Sequence, residues 1–152
     1  MTKKLAVLGS PIEHSKSPAI HTAAYRVLNL DWDYSRFEVR KGGLRNFVDS
    51  LDSQWLGLSL TMPLKEEGAK LAHTLDRSAA VTGAVNTLVR DEQGWLGYNT
   101  DVFGIVQAIS NAGIEALDKV LVIGSGATAM SSVAALKQLA PETKLQIWAR
   151  NE

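Results

Sequence analysis

The stretch Val120-Leu-Val-Ile-Gly-Ser-Gly-Ala-Thr-Ala129 joins a short apolar run to a glycine-rich segment, and a helical pattern follows it through Leu139. The apolar run predicts a buried strand. A strand, the motif G-x-G-x-x-A and a helix, in this order, are typical of a dinucleotide site. The glycines let the backbone approach a pyrophosphate, and the helix N-terminus presents N–H groups to it. The alternative interpretation is a glycine-rich turn without a ligand. The predicted cofactor contacts are Gly124, Ser125, Gly126, Ala127 and Thr128.

The end of the next strand indicates which cofactor this site would take. About twenty residues beyond the first glycine, an NAD-binding protein usually offers a carboxylate to the ribose 2′-hydroxyl. Here the strand ends in Trp148-Ala-Arg150, so a guanidinium stands where the acid would be. A guanidinium holds a phosphate through paired, charge-assisted hydrogen bonds. Arg150 therefore favours NADP, with a solvated surface arginine as the alternative.

Strand and helix patterns alternate along the rest of the chain, which predicts an α/β fold with mostly parallel sheets. The strand patterns cover residues 5–8, 32–39, 56–60, 85–89 and 95–98, and the helix patterns cover residues 17–28, 44–51, 63–72, 76–81 and 101–112. We expect a mostly parallel three-layer domain over residues 1–100. A connector helix and the first βαβ unit of a Rossmann-like domain then occupy residues 101–152. Because such a sheet normally has two βαβαβ halves, the second domain is expected to be incomplete, and the sheet edge left open favours dimerisation.

The first helix pattern has a clear start and a clear apolar face. Ser17 is expected to be its N-cap, with Pro18 at the first helical position. The spacing i, i+3, i+4 predicts an amphipathic helix. Its apolar face comprises Ile20, Ala23, Ala24, Val27 and Leu28.

Composition excludes several classes of function. Sixteen basic and sixteen acidic side chains cancel, which argues against a nucleic-acid binder or a polybasic membrane-surface protein. The absence of cysteine excludes disulfide scaffolds and thiolate zinc sites, and the three histidines lack metal-ligand spacing. The apolar runs are too short to span a bilayer, and the N-terminus lacks the pattern of a signal peptide. We therefore expect a cytoplasmic protein without a metal.

Polar residues that suit a small polyhydroxylated ligand occur in the first hundred residues. Ser15 and Ser17 precede a helix, where both hydroxyls suit a carboxylate or hydroxyl ligand, although capping explains Ser17 equally simply. Lys65 follows Thr61-Met-Pro63 in the first turn of a helix, a position that the helix dipole disfavours for a cation. A lysine and an aspartate such as Asp101 can form an acid–base pair, but sequence spacing does not show that the two meet, and the alternative is an ordinary surface lysine. Asn86 offers an amide at the start of a strand, or is a turn asparagine.

Taken together, these segments resemble the shikimate dehydrogenase family, the NADP-dependent enzymes of aromatic amino-acid biosynthesis. The resemblance extends over the whole chain in five ordered motifs. These are Gly9-Ser-Pro-Ile-Glu-His-Ser-Lys-Ser-Pro18, Thr61-Met-Pro-Leu-Lys65, Gly83-Ala-Val-Asn-Thr87, Asn99-Thr-Asp101 with Gly104, and Gly124-Ser-Gly-Ala-Thr-Ala129.

The resemblance implies reversible NADPH-dependent reduction of 3-dehydroshikimate to shikimate in a cleft between a substrate domain and a cofactor domain. It implies that Ser15 and Ser17 bind the substrate carboxylate, and that Lys65 and Asp101 form the catalytic pair. The residues that it places on the ring hydroxyls are Thr61, Lys65, Asn86 and Asp101.

The chain departs from the family pattern in sequence and in length. Ser59 stands where the family most often has asparagine, and Ala149-Arg150-Asn151 stands for asparagine-arginine-threonine. Family members continue for roughly a hundred further residues, so the resemblance implies a fragment. The alternatives are a quinate/shikimate dehydrogenase that uses NAD and a shikimate-binding fragment without turnover.

Overall fold

Eight strands and six helices alternate along residues 2–114 and 116–150, the parts of the chain that the computed structural model describes. The predicted second domain ended in Asn151 and Glu152, which lie outside the described residues. The first ten elements are β1 (Lys3–Gly9), α1 (Ser17–Val27), β2 (Trp32–Glu38), α2 (Leu44–Asp49), β3 (Trp55–Leu60), α3 (Lys65–Leu71), β4 (Thr74–Leu75), α4 (Arg77–Thr82), β5 (Thr87–Arg90) and β6 (Trp95–Tyr98). The last four are α5 (Asp101–Asn111), β7 (Lys119–Ile123), α6 (Ala127–Leu139) and β8 (Lys144–Trp148).

The first six strands form one mixed sheet in the order β2-β1-β3-β5-β6-β4. β1 pairs in parallel with β2 and β3, and β4 pairs in parallel with β6. β5 pairs antiparallel with β3 and with β6. The second pairing is a hairpin, because residues 91–94 turn the chain back on itself: Asp91 N–H donates to the Gly94 carbonyl at 3.0 Å. The predicted α/β fold with a mostly parallel sheet is confirmed.

Helices cover both faces of this sheet and give three layers. Alternate side chains of a strand point to opposite faces, so β1 contributes Leu8 to one core and Val7 to the other. The larger core lies beneath α2, α3 and α4. Its fully buried leucines are Leu8, Leu44, Leu58, Leu64 and Leu88. The smaller core lies beneath α1 and contains Val7, Ile12, Tyr25 and Tyr34.

Helix α1 corrects two expectations. Ser17 is the first helical residue and not the N-cap; Lys16 occupies that position, and the Ser17 N–H instead donates to Ser15 Oγ at 3.3 Å. The predicted apolar face points to solvent, with Val27 81% exposed. The side of α1 that faces the sheet carries Tyr25, which is buried and packs edge-on against Trp32.

The third helix also begins later than predicted. Residues 61–64 form a turn, in which Leu64 N–H donates to the Thr61 carbonyl at 2.8 Å, and α3 starts at Lys65. Pro63 therefore lies before the helix and not in its first turn. The short strand β4 was not predicted, because two residues are too few to show an alternating pattern.

The last three elements form a βαβ unit in which β7 and β8 pair in parallel, with Val122 opposite Ile147. Helix α6 packs against α5 and α4. The βαβ unit therefore contacts helices that precede it in the chain. Several large apolar side chains of its two-stranded sheet are more than half exposed, namely Leu121, Ile123, Ile147 and Trp148. None of the helices in the described ranges has the length and apolar character that crossing a membrane requires.

Candidate active site

The turn after β3 brings Lys65 to the edge of the sheet. Thr61 N–H donates to the Leu8 carbonyl at 2.9 Å, and Ser10 N–H donates to the Met62 carbonyl at 2.9 Å, so this turn is tied to the segment that follows β1. A Cβ at Gly9 would collide with the Thr61 side chain and lie 2.9 Å from the Met62 carbonyl oxygen. Glycine at this position therefore permits the close approach of the two segments.

Lys65 and Asp101 meet in space although 36 positions separate them. The Lys65 ammonium lies 2.6 Å from Asp101 Oδ2, and the two side chains are only 14% and 27% exposed. Lys65 comes from the first turn of α3, and Asp101 is the first residue of α5. A partly enclosed ammonium that is oriented by a carboxylate can donate a proton to a substrate oxygen and stabilise negative charge on it.

Asn86 holds the other oxygen of the same carboxylate. Its amide nitrogen donates to Asp101 Oδ1 at 2.7 Å and to Thr100 Oγ1 at 2.9 Å. Its amide oxygen accepts the backbone N–H of Thr100 at 3.1 Å and the hydroxyl of Thr87 at 2.9 Å. Asn86 therefore fixes the start of α5 and the orientation of the carboxylate. Sequence reasoning missed Thr100, although its place inside Asn99-Thr-Asp101 was a signal.

Ser15 and Ser17 lie at the same edge of the sheet as the lysine–aspartate pair. They follow β1, whereas Lys65 follows β3, and these neighbouring parallel strands end together, with Leu8 opposite Leu60. Within the described ranges, no hydrogen bond joins either serine to Lys65 or Asp101. A small depression beside Ser15 is lined by His14, Lys16 and Arg36.

Ser59, the residue that departs from the family pattern, is hydrogen-bonded to a buried tyrosine. Tyr34 Oη donates to Ser59 Oγ at 2.7 Å, and His21 stacks on the Tyr34 ring at a centroid distance of 4.0 Å. Burial raises the pKa of Tyr34, and the hydrogen bond to Ser59 offsets part of this rise. Tyr34 was missed because its position in a strand predicted only packing.

A cleft of about 790 Å³ separates this region from the glycine-rich segment. Thr61 and Lys65 line one wall of the cleft, and Gly124, Gly126, Ala127 and Thr128 line the other. Among the described residues, no group of three His, Cys, Asp or Glu side chains is placed to hold a metal ion.

The glycine-rich segment has the local geometry that the motif predicts. Gly124 has a φ of +123°, a value that favours glycine, and Gly126 is the N-cap of α6 without a side-chain hydrogen bond. A Cβ at either glycine would meet no heavy atom within 4 Å, so the space beside this backbone is open. Ser125 and Arg150 line a second depression, of about 690 Å³, beside the two glycines.

Comparisons with known proteins relate this architecture to one family. Residues 7–88 match the family model described as shikimate dehydrogenase substrate binding domain. A relative from Hyphomonas neptunium, shikimate dehydrogenase (NADP(+)), is 41% identical over 138 residues, which are 90% of this chain and 51% of the relative. The chain thus spans about half the length of the shikimate dehydrogenases that it matches.

Solved structures of shikimate dehydrogenases are similar to this chain over nearly its whole length. A shikimate 5-dehydrogenase from Mycobacterium fortuitum is 44% identical with a TM-score of 0.84, over 100% of this chain and 56% of that chain. The enzyme from Thermus thermophilus, solved in complex with NADP(H) and shikimate, is 31% identical with a TM-score of 0.86, over 98% of this chain and 56% of that chain.

Proposed function

Because the chain belongs to the shikimate dehydrogenase family, we propose that it carries the shikimate-binding and catalytic residues for the reversible, NADPH-dependent reduction of 3-dehydroshikimate to shikimate in aromatic biosynthesis. The observation that carries the proposal is the 2.6 Å contact of Lys65 with Asp101 at the edge of the cleft. No pattern in sequence spacing brings these two residues together, and the chemistry needs both.

In the proposed reduction, Lys65 acts on the oxygen at ring position 3. As hydride reaches the carbonyl carbon, negative charge develops on that oxygen; the Lys65 ammonium stabilises this charge and donates a proton to it. Asp101 orients the ammonium through Oδ2, and Asn86 holds the same carboxylate through Oδ1. The remaining acceptor capacity of Asp101 is available to a substrate hydroxyl.

The rest of the proposed substrate site is taken from the family resemblance, and the position of these residues at one sheet edge supports it. Thr61 and Asn86 bind ring hydroxyls, and Ser15 and Ser17 bind the carboxylate. The segment that carries both serines is tied to the Thr61 turn by the bond from Ser10 N–H to the Met62 carbonyl. In the proposed complex, one shikimate molecule contacts both the serines and Lys65.

The glycine-rich segment fits a dinucleotide. NADPH supplies the hydride when it is bound. The open space beside Gly124 and Gly126 is suited to its pyrophosphate, since no side chain fills it. Ser125, Ala127 and Thr128 contribute backbone N–H groups, and Arg150 beside the same glycines is the proposed partner of a 2′-phosphate. We assign residues 1–100 to the substrate domain and residues 101–152 to the connector and the start of a Rossmann-type cofactor domain.

We also propose that the protein acts in the cytoplasm and forms a homodimer. The reaction requires a reduced nicotinamide cofactor and a small metabolite, neither of which calls for another compartment. The exposed apolar sheet of β7 and β8 supports self-association, because open strand edges with apolar side chains are templates for pairing.

Shikimate binding and turnover with substitutions in α3 test the proposed function. Shikimate-dependent reduction of NADP⁺ is measured for the chain, for Lys65→Met and for Lys70→Met, an exposed lysine of the same helix. We expect Lys65→Met to reduce turnover by about 100-fold or more, as for other positioned acid–base groups. Lys70→Met should leave it unchanged.

Parallel assays distinguish the alternatives. Turnover of quinate with NAD⁺ at a rate equal to that of shikimate with NADP⁺ would favour the quinate/shikimate enzyme. Calorimetric shikimate binding without turnover, abolished in Lys65→Met, would identify a binding module. Equal behaviour of both lysine variants in every assay would contradict the assignment of the site.

A further inference from the structure

Asn99 makes four hydrogen bonds in the short connection between β6 and α5, and its role is not explained by substrate contact. It is 3% exposed, so water and substrate do not reach it. Its amide nitrogen donates to Thr82 Oγ1 on α4 at 2.8 Å and to Ser131 Oγ on α6 at 3.0 Å. Its amide oxygen accepts the Asp101 N–H at 3.1 Å, and its own N–H donates to Asp76 Oδ1 at 3.2 Å.

The bond to Ser131 extends this network to the glycine-rich segment. Ser131 is fully buried, and its hydroxyl donates to the carbonyl of Ala127, the first residue of α6, at 3.1 Å. Ala127 follows Gly126 directly. An unbroken series of hydrogen bonds therefore runs from the first turn of α6 through Ser131 and Asn99 to the backbone of Asp101.

The same series continues into the catalytic pair. Asp101 accepts the Asn86 amide through Oδ1 at 2.7 Å and the Lys65 ammonium through Oδ2 at 2.6 Å. The amide of Asn99 has no free hydrogen-bonding group with which to accommodate a displacement of Asp101, because both of its N–H groups and its oxygen are already engaged. Buried networks whose members are all hydrogen-bonded are rigid and specify one arrangement, and contiguous networks of this kind are the physical route by which two sites can be coupled.

We propose that Asn99 is a positioning residue that couples the first turn of α6 to the Lys65–Asp101 pair, so that shikimate and dinucleotide strengthen each other's binding. The inference rests on the proposed function, since it takes the two ligands from there. Asn99 touches neither ligand in this proposal and acts through Ser131 and Asp101.

Two matched substitutions separate coupling from structural support. Thr82 and Ser131 accept bonds of similar length from the same amide, but only Ser131 belongs to α6. Ser131→Ala and Thr82→Val each remove one acceptor, and denaturant unfolding of both variants measures the stability lost. Ser131→Cys, whose thiol is a weaker acceptor, serves as an intermediate variant and as a substitute if Ser131→Ala does not fold.

The first readout is the amide NMR spectrum of the whole chain, recorded with shikimate as the only added ligand. We expect shikimate to shift the amide signals of Lys65, Asn86 and Asp101, and also those of Ala127 and Thr128. Ser131→Ala should lose the shifts at Ala127 and Thr128 and keep those at Lys65 and Asp101. Thr82→Val should keep all of them. Titration with NADP⁺ should likewise show an affinity gain of about fivefold or more with saturating shikimate, lost in Ser131→Ala.

The outcomes separate the inference from the function on which it rests. Shifts at Ala127 and Thr128 that persist in Ser131→Ala, or that are absent in the unaltered chain while Asp101 responds, would overturn the coupling alone. An unaltered chain in which shikimate shifts none of Lys65, Asn86 and Asp101 would overturn the proposed function, and the coupling with it.

Discussion

Individual hydroxyl and amide groups at this site are oriented by bonds that only the folded chain reveals. Ser59 illustrates this: its hydroxyl accepts from Tyr34 at 2.7 Å, so its own hydrogen takes no part in that bond. Tyr34 lies on β2 and Ser59 on β3, with β1 between them. Sequence patterns identify both strands but not which side chains reach across a third.

Tyr34→Phe tests this bond through stability and its pH dependence. We expect a loss of about 1 kcal/mol at neutral pH, the usual net value of one buried hydrogen bond. The folded-state pKa of Tyr34 is raised above 10.0 by burial, so folding favours the neutral phenol. This contribution is complete below pH 10.0 and is lost as the pH rises through the higher folded-state value. Urea unfolding across this range should show a smaller alkaline decline in Tyr34→Phe than in the parent.

Tyr25→Phe is the matched control. Burial also raises the pKa of Tyr25, but no side-chain hydrogen bond of its hydroxyl is found within the described residues. Tyr25→Phe should reduce the alkaline decline in the free energy of unfolding, and it should cause no loss of that free energy at neutral pH. An equal loss at neutral pH in both variants would contradict the importance of the Ser59 bond.

At the scale of elements, a side chain of α3 caps the first residues of α2. The carboxylate of Glu67 accepts the N–H groups of Gly42 at 2.6 Å and Leu44 at 3.4 Å, so α3 caps the start of α2. Sequence analysis predicted both helices, because their apolar spacing is local. It did not predict the cap, since the two ends of the bond are more than twenty positions apart.

Glu67→Ala should lower the free energy of unfolding by about 1–2 kcal/mol, because it leaves two N–H groups at a helix start without their acceptor. Glu66→Ala changes an exposed neighbour in the same helical turn and should stay within about 0.5 kcal/mol of the parent. Thermal or urea unfolding measures both. Equal losses would mean that helix charge, and not the cap, stabilises this region.

Alanine substitutions at Gly68 and Gly104, which lie within helices, should change the free energy of unfolding in opposite directions. A Cβ at Gly68 in α3 would collide with Leu60 and lie 3.2 Å from Val85 Cβ, whereas a Cβ at Gly104 in α5 would meet nothing within 4 Å. Gly68→Ala is therefore expected to cost about 1–3 kcal/mol through overpacking. Gly104→Ala should stabilise by about 0.5–1 kcal/mol through helix propensity. The difference in unfolding midpoints gives the result, and a gain for both would refute the close packing of α3.

For the whole molecule, local patterns predicted the elements and the glycine-rich segment well, but not how the helices face. The spacing of α1 was correctly helical, yet its five-residue apolar face lies outward and Tyr25 is the side chain that α1 buries against the sheet. The proposed roles of Lys65 and Asp101 came from family resemblance, not from spacing. Their contact depends on the sheet order, which places the ends of β3 and β6 close enough for the turn and the helix to meet.

The exposed apolar surfaces predict self-association. Ile147 on β8 is 56% exposed, and Val27 on α1 is 81% exposed. If the β7–β8 sheet is the dimer surface, Ile147→Lys should shift the chain toward monomer in sedimentation velocity at rising concentration, and Val27→Lys should not. The reverse result would place the interface on α1, and a monomer at every concentration would contradict dimerisation.

The 36 positions that separate Lys65 from Asp101 have a consequence for the order in which their contact forms during synthesis. Lys65 emerges from the ribosome well before Asn86 and Asp101, and the carboxylate that it meets belongs to a helix that follows the β5–β6 hairpin. During synthesis the larger core can therefore begin to assemble while the ammonium still faces water alone. The contact between Lys65 and Asp101 can form only when residue 101 has left the exit tunnel, so it forms after β1, β2 and β3 are already available to pair.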